Sequence, residues 1–79
     1  METSVIAAID IGSNAIRLLI NNIENTKSAP DFKKAAFLRV PIRLGEDVFT
    51  LGRISEEKKT RLIDAMQGFS HIMKAYSVE

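Results

Sequence analysis

Apolar positions near the N-terminus follow the spacing of β-strands. The run over residues 5–11 is short, apolar and rich in β-branched side chains, and it ends at a Gly-Ser-Asn turn over 12–14. This pattern predicts a buried strand followed by a tight turn. Residues 15–23 alternate, and the side chains expected on one face are Ile16, Leu18 and Ile20. Because only a few residues separate the two segments, we expect them to pair as an antiparallel hairpin.

A third strand is expected over residues 35–44, after a surface connection over 21–34. The connection contains Asn, Thr, Ser and charged residues, and Pro30-Asp31 is expected to form a turn in it. Pro41 cannot donate to a hydrogen-bond ladder, so it favours an edge position or a bulge. The polar residues 45–47 are expected to leave the strand as a loop. The apolar positions that alternate along this third segment are Leu38, Val40, Ile42 and Leu44.

The C-terminal third of the chain has the apolar spacing of a helix. Ser55 is a candidate N-cap, and Glu56 and Glu57 follow in the first turn, where carboxylates interact favourably with the helix dipole. Gly68 inside the pattern costs roughly 1 kcal/mol against Ala. The helical pattern runs close to Glu79 with no stop signal. Its apolar stripe consists of Leu62, Met66, Phe69, Ile72, Met73 and Tyr76.

The predicted fold class is α/β, with three antiparallel strands followed by one helix. One helix covers only one face of a sheet, yet the first strand is apolar on both faces, as strands buried on both sides are. The missing cover implies further chain, a partner subunit or a swapped dimer. We therefore expect residues 1–79 to be the N-terminal part of a larger domain, and we expect the protein to form a homodimer.

Composition and charge narrow the classes of function. The formal net charge is +1, which gives no global field that would attract nucleic acid or an anionic membrane. The absence of cysteine excludes disulfides and thiolate metal sites, and with a single histidine, His71, a zinc cluster is not expected. Asp10 interrupts the one candidate signal-peptide run, and no apolar run approaches the ~20 residues of a membrane span. A cytoplasmic location is the default expectation.

The segment over residues 10–14 combines the residue types of a phosphate site. A carboxylate at the end of a buried strand needs a cation or hydrogen-bond donors. Gly12 lets the backbone approach a ligand, and successive N–H groups in such a turn can hold phosphate oxygens. Asp10 could hold a hydrated Mg²⁺ beside that phosphate. A plain hairpin turn, with Asp10 bonded to turn amides, fits the same residues equally well.

Residues 8–20, AIDIGSNAIRLLI, resemble the first phosphate-binding motif of the exopolyphosphatase/guanosine pentaphosphate phosphohydrolase (Ppx/GppA) family. Sugar kinases, acetate kinase, actin and the DnaK-type chaperones share its strand, Asp-X-Gly turn and second strand. Residues 43–48, RLGEDV, and 52–55, GRIS, are similar to the family's exit from the third strand and entry to its first helix. The resemblance therefore covers residues 5–76. It implies a ribonuclease H-like (actin-like ATPase) fold, of which this chain would be the N-terminal part.

The resemblance also implies an activity, the hydrolysis of terminal phosphoanhydrides in inorganic polyphosphate or guanosine pentaphosphate, assisted by Mg²⁺ or a similar divalent cation. It assigns Asp10 to the metal. It assigns Arg17 and Arg43 to the phosphate, because the planar guanidinium of arginine matches the geometry of phosphate oxygens. A solvated strand face accounts for these two arginines equally well. Ala15 departs from the hydroxyl residue that is usual in the family. The residues expected to bind phosphate are Gly12, Ser13, Asn14, Arg17 and Arg43.

No catalytic residue is expected within this chain, because the resemblance places the catalytic Glu beyond Glu79. Phosphoryl transfer depends on positioning by several loops together, so we expect the 79-residue chain alone to have no appreciable phosphatase activity.

Two other functions remain open. A sugar- or acetate-type kinase of the same superfamily would share the Asp-X-Gly turn, although such kinases more often carry Thr after it. A small interaction module that dimerises through an open sheet face would need no catalysis. Among the other polar residues, His71, the Glu46-Asp47 pair and the basic clusters at 33–34 and 58–61 are all expected to be solvated surface or boundary positions.

Overall fold

The computed structural model describes residues 3–25 and 28–79 and places three strands and two helices there. All three strands form one antiparallel sheet in the order β1-β2-β3. The predicted α/β order of three antiparallel strands followed by a helix is confirmed, with one helix more than predicted. The elements are β1 (Thr3–Ile11), β2 (Ala15–Asn25), β3 (Pro30–Pro41), α1 (Leu44–Leu51) and α2 (Glu56–Ala75).

The hydrophobic core lies between the sheet and the helices. Alternation along β2 points three side chains to one face, where all three are fully buried: Ile16, Leu18 and Ile20. Ile42, Leu44 and Phe69 complete the buried cluster, and other residues of the predicted α2 stripe pack against it. We call this side of the sheet the helix face. The opposite side, which no described helix covers, is the open face.

The connection predicted over residues 21–34 is wrong, because strands occupy most of it. β2 continues to Asn25, and β3 begins at Pro30, so Pro30-Asp31 starts a strand instead of forming a turn. The end of β2 and the start of β3 can carry charged side chains because these side chains reach solvent. Two of them form an ion pair, with Lys33 Nζ 3.6 Å from Glu24 Oε2. Residues 26 and 27 of the predicted connection lie outside the described part.

The third strand also ends earlier than predicted, at Pro41. Since β3 is an edge strand of this sheet, the expected edge position of Pro41 is confirmed. The irregularity of the ladder lies elsewhere, where the pairing passes from Ile20↔Ala36 to Asn21↔Lys34 and leaves Ala35 as the extra residue. The bulge therefore follows from the register of β3 and not from its proline.

The first strand is the other edge of the sheet, and the cover that its apolar pattern calls for is missing from the described residues, as expected. Ile6, Ile9 and Ile11 are all exposed. Their apolar character follows the predicted pattern, but nothing in the described residues covers them. β1 therefore presents apolar side chains on both faces of the sheet.

Helix α1 was missed by the sequence patterns, which predicted a strand to Leu44 and then a loop. Arg43 has φ 60° and ψ 49°, and this left-handed conformation turns the chain out of the strand. Gly52, at φ 70°, ends the helix and donates its N–H to the Val48 carbonyl at 3.0 Å. A helix of eight residues is too short to show a clear period, so neither boundary could be read from the spacing of apolar residues.

Helix α2 starts where predicted and ends at Ala75, one residue before the last position of the predicted stripe. The Ser55 side chain accepts the N–H of Lys58 at 3.3 Å, which confirms it as the N-cap. After Ala75 the chain makes a Schellman turn, in which the Val78 N–H donates to the Met73 carbonyl at 3.0 Å. The helix thus runs close to Glu79 as expected, but the expectation that nothing stops it is wrong. The stop is formed by Ser77 at φ 57°, a position where the usual signal would be Gly.

Candidate phosphate-binding site

The turn between β1 and β2 leaves two backbone amides free. The Gly12 N–H donates to the Ala15 carbonyl at 2.9 Å, which closes the hairpin over Ser13 and Asn14. Within the described residues, the amides of Ser13 and Asn14 donate to no other group. Successive unpaired N–H groups in a turn are an anion-binding arrangement. Of the three turn residues predicted to bind phosphate, Ser13 and Asn14 have free amides that could donate to it. The Gly12 amide is already bonded inside the turn.

The carbonyls of the same turn anchor it to the junction between β3 and α1. The Ser13 carbonyl accepts the Gly45 N–H at 2.8 Å, and the Asn14 carbonyl accepts the N–H groups of Ile42 at 3.2 Å and Arg43 at 2.9 Å. The contact at Gly45 is close enough that an added Cβ would lie 2.9 Å from the Ser13 Cβ. The turn is therefore held to this junction through its carbonyls, and the amides of Ser13 and Asn14 take no part in that attachment.

Arg43 holds an unfavourable backbone conformation at this junction. A non-glycine residue in the left-handed region costs about 1–3 kcal/mol and persists where its surroundings fix it. Here the fixing contacts are hydrogen bonds: its N–H donates to Asn14, and its carbonyl accepts from the Glu46 N–H at 3.2 Å and from Lys58 Nζ at 2.9 Å. The side chain is exposed, with Nη1 3.8 Å from Glu46 Oε2. The Arg43 backbone is therefore attached to the turn, and its predicted role in phosphate binding stays a prediction.

A buried ion pair locks α1 onto α2 behind this junction. Lys58 Nζ lies 2.8 Å from Asp47 Oδ1, and the Ser55 N–H donates to Asp47 Oδ2 at 2.8 Å. The hydrogen bond from Lys58, with those from Ser55, lowers the pKa of Asp47 to about 2, and the Asp47 carboxylate in turn raises the pKa of Lys58. Both side chains are nearly buried, so the expectation that they are solvated is wrong for this pair. Lys58 connects the pair to the site through the Arg43 carbonyl.

The carboxylate of Asp10 lies on the open face, one strand residue before the turn begins. Its Oδ2 accepts a hydrogen bond from Arg17 Nη1 at 3.0 Å, and 65% of the side chain is exposed. The expectation of a buried carboxylate is therefore wrong, because β1 is an edge strand whose open face is uncovered. The charge partner of Asp10 is Arg17, which lies directly opposite it in the register of β1 and β2.

An open cleft of about 420 Å³ lies at the turn end of the sheet. It brings two of the predicted residues together, Asn14 and Arg43, and leaves Asp10 and Arg17 outside its lining. No group of three or more Asp, Glu, His or Cys side chains in the described ranges could hold a metal ion by itself. The residues that line the cleft are Asn14, Arg39, Pro41, Arg43 and Glu46.

Sequence reasoning missed Arg39 and gave Glu46 only a solvated role. The signal for Arg39 was present in the strand alternation, which puts it two residues before Pro41 on the same face. Its place next to the turn became visible only with the pairing Arg17↔Arg39. Gly45 and Lys58 were also missed as parts of the site, because their contacts join segments far apart in the chain.

The fold has a solved counterpart. The structure matches the crystal structure of the Ppx/GppA family member from Aquifex aeolicus with a TM-score of 0.87, over 99% of this chain and at 24% sequence identity. The chain folds as an N-terminal portion of a Ppx/GppA protein. It spans 24% of the length of that Aquifex chain. The Ppx/GppA likeness thus includes the sheet, the turn and both helices.

Among curated proteins, the bifunctional 3-dehydroquinate synthase/phosphatase of Fusobacterium nucleatum subsp. nucleatum is 36% identical to this chain over 74 residues. The match takes in 92% of this chain and 11% of that protein. No protein-family profile matches the chain. Among the described residues, no helix is long and apolar enough to cross a membrane.

Proposed function

We propose that this chain forms the first phosphate-binding part of a Ppx/GppA-type phosphatase that hydrolyses terminal phosphoanhydrides of inorganic polyphosphate or guanosine pentaphosphate. The observation that carries the proposal is the β1–β2 turn, with its two free amides at Ser13 and Asn14 beside an arginine-lined cleft. The Ppx/GppA fold supports it, and so does the word phosphatase in the name of the Fusobacterium relative. The kinase and interaction-module alternatives have no comparable feature in their favour.

The donors at the turn suit a terminal phosphate group. Backbone amides of Ser13 and Asn14 would donate to its oxygens, and the guanidinium of Arg43 would add a planar pair of donors from the cleft. Hydrogen bonds fix the backbone of Arg43, so only its exposed side chain has to reorient when an anion binds. These groups bind and orient the substrate, and the proposal assigns the attacking-water chemistry to residues outside this chain.

Asp10 fits one position in a Mg²⁺ site. Sites for Mg²⁺ beside phosphates commonly use one or two carboxylates, with phosphate oxygens and water completing the shell. Asp10 is accessible and lies next to the turn, with only Oδ2 paired to Arg17. When bound there, the ion would offset the charge that phosphoryl transfer develops. Asp10 would contribute one carboxylate to it, and Arg17 would be free to contact the same phosphate.

The activity test uses the protein at its native length, with polyphosphate and guanosine pentaphosphate as separate substrates and Mg²⁺ present. We expect release of inorganic phosphate without any acceptor molecule, whereas a kinase would require one. Asp10→Asn should lower the rate by at least about 10–100-fold, because the loss of even a group that only orients a metal ligand has an effect of that size. Asp64→Asn, the same chemical change at an exposed position on α2, should leave the rate unchanged. Absence of phosphate release from both substrates would overturn the proposed function.

Association through the open face is a separate part of the proposal. Phe32 and Phe37 project from β3 with more than half of their surface exposed, and Ile6 is exposed on β1. Exposed apolar side chains of this size favour a covering partner, for which a second copy of the protein is the expected form. Light scattering of the native-length protein should give the mass of a dimer, and a monomer at micromolar concentration would contradict this part. A cytoplasmic location remains an expectation.

A further inference from the structure

A row of three charged side chains crosses the open face next to the turn. The register pairs Asp10 with Arg17 across β1 and β2, and pairs Arg17 with Arg39 across β2 and β3. Residues directly opposite each other in antiparallel strands have Cβ atoms about 4.5–5.5 Å apart. The three side chains therefore stand side by side in the order carboxylate, guanidinium, guanidinium.

The charges in this row are not balanced. Asp10 is bonded to Arg17 at 3.0 Å, which compensates the central cation. Arg39 makes no ion pair with any residue in the described ranges, although it stands opposite another arginine. Like charges directly opposite in a sheet are destabilising. Asp10 reduces the repulsion between the two arginines, but Arg39 itself is left without a compensating anion in the described part of the chain.

Arg39 also lines the cleft beside the turn. There it faces the same space as Asn14 and Arg43, and the Arg43 guanidinium already has Glu46 within 3.8 Å. The uncompensated positive charge of the cleft is therefore that of Arg39. A planar guanidinium with several fixed donors is well suited to a phosphate group.

We propose that Arg39 is a substrate-binding residue that holds a second phosphate group of a polyphosphate-type anion, next to the group held by the Ser13–Asn14 turn. The proposal rests on the proposed function for the class of substrate. It goes further by assigning to the cleft an anion of at least two linked phosphates. The row of phosphate groups would run from the turn along the end of β3. Arg39 binds and positions the anion, and it takes no part in proton transfer.

The test measures binding of tripolyphosphate to the native-length protein by isothermal titration calorimetry at fixed ionic strength. Arg39→Gln should weaken binding about tenfold or more, the effect of losing a charge-assisted bidentate contact. Arg39→Lys should recover part of the affinity, since it restores the charge without the fork. The matched control is Arg53→Gln, which removes the same charge from an exposed loop between α1 and α2. It should leave the affinity within about twofold of the wild-type value, because Arg53 does not line the cleft and exposed charges are screened.

A second readout separates binding from folding. Without anion, Arg39→Gln should be at least as resistant to thermal unfolding as wild type, because the repulsion from Arg17 is removed. In turnover, the substitution should raise KM and leave kcat nearly unchanged. If Arg39→Gln binds tripolyphosphate as tightly as Arg53→Gln does, or if no form of the protein binds it, the inference is overturned.

Failure of the inference can be told apart from failure of the proposed function. Arg39-dependent binding of tripolyphosphate in a protein that releases no phosphate would support the inference and contradict the proposed hydrolysis. Phosphate release with an unchanged KM in Arg39→Gln would support the hydrolysis and overturn the inference.

Discussion

The contact between Gly45 and the turn allows a test of how the site is built. Substituting Gly45→Ala adds one methyl group, whose carbon would lie 2.9 Å from the Ser13 Cβ and 3.4 Å from the Ser13 carbonyl oxygen. Carbon atoms pack best at about 3.5–4.0 Å, so α1 or the turn must move apart by at least about 0.6 Å. The same movement stretches the hydrogen bond from the Gly45 N–H to the Ser13 carbonyl, now 2.8 Å.

The expected cost follows from two opposing effects. Adding a methylene-sized group to a closely packed contact typically destabilises by about 1–3 kcal/mol. Alanine is the better helix former by up to about 1 kcal/mol, and part of this gain applies in the first turn of α1. The net loss should therefore be about 1–2 kcal/mol, concentrated at the junction between β3 and α1.

Hydrogen exchange measures this loss locally. The amides of Arg43 and residue 45 donate to carbonyls of the turn. A loss of about 1–2 kcal/mol should therefore raise their exchange rates about 5–30-fold in Gly45→Ala. Affinity for tripolyphosphate should fall in the same variant, because the Ser13 and Asn14 amides shift with the turn.

Gly68→Ala is the matched control. Gly68 lies within α2, and an added Cβ there meets no atom within 4 Å. The substitution should stabilise α2 by about 0.5–1 kcal/mol and leave exchange at residues 43 and 45 unchanged. If Gly45→Ala protects these amides as well as or better than wild type does, the close approach of α1 to the turn is not what positions the site.

Substitutions at three further positions test other parts of the structure. Leu18→Ala removes a fully buried side chain from the centre of the sheet and should destabilise by about 2–5 kcal/mol in urea denaturation, whereas a loss under 1 kcal/mol would contradict the core assignment. Asp47 has a folded-state pKa of about 2 against 3.8 ordinarily, so its contribution to stability is full above about pH 4 and is lost as the pH falls toward 2. Denaturation of Asp47→Asn should therefore depend less on pH between 4 and 2 than wild type does, and equal slopes would refute the lowered pKa. Arg43→Gly should be more stable than Arg43→Ala by about 1–2 kcal/mol, because only glycine adopts the left-handed backbone conformation without strain. Both variants should lose affinity for tripolyphosphate. Equal stabilities of the two variants would show that φ 60° carries no strain.

The parts of the fold that sequence could predict are those with a regular period. Alternation identified the buried face of β2, and helical spacing with a serine cap located the start of α2. The parts that failed are those decided by single backbone conformations. Arg43 and Ser77 both adopt positive φ without being glycine, so the start of α1 and the end of α2 had no signal in residue type.

The geometry around the predicted site residues could be foreseen from sequence only in part. Local sequence correctly put Ser13 and Asn14 in a turn, because a Gly-Ser-Asn string between two apolar runs is specific enough. It could not show that the Gly12 amide is used inside the hairpin, nor that Asp10 is exposed beside Arg17, since both depend on the register of β1 and β2. The role of Arg39 depends in addition on the register of β3, which a bulge shifts by one residue.

The central claim is that the free amides of the β1–β2 turn bind phosphate oxygens. The most direct measurement is a ¹H–¹⁵N titration of the native-length protein, selectively labelled at Gly, Ser and Asn, with tripolyphosphate and Mg²⁺. We predict large, saturable shifts of the Ser13 and Asn14 amides, and a smaller change at Gly12, whose N–H keeps its bond to the Ala15 carbonyl. Binding of tripolyphosphate that leaves the Ser13 and Asn14 amides unshifted would contradict the account.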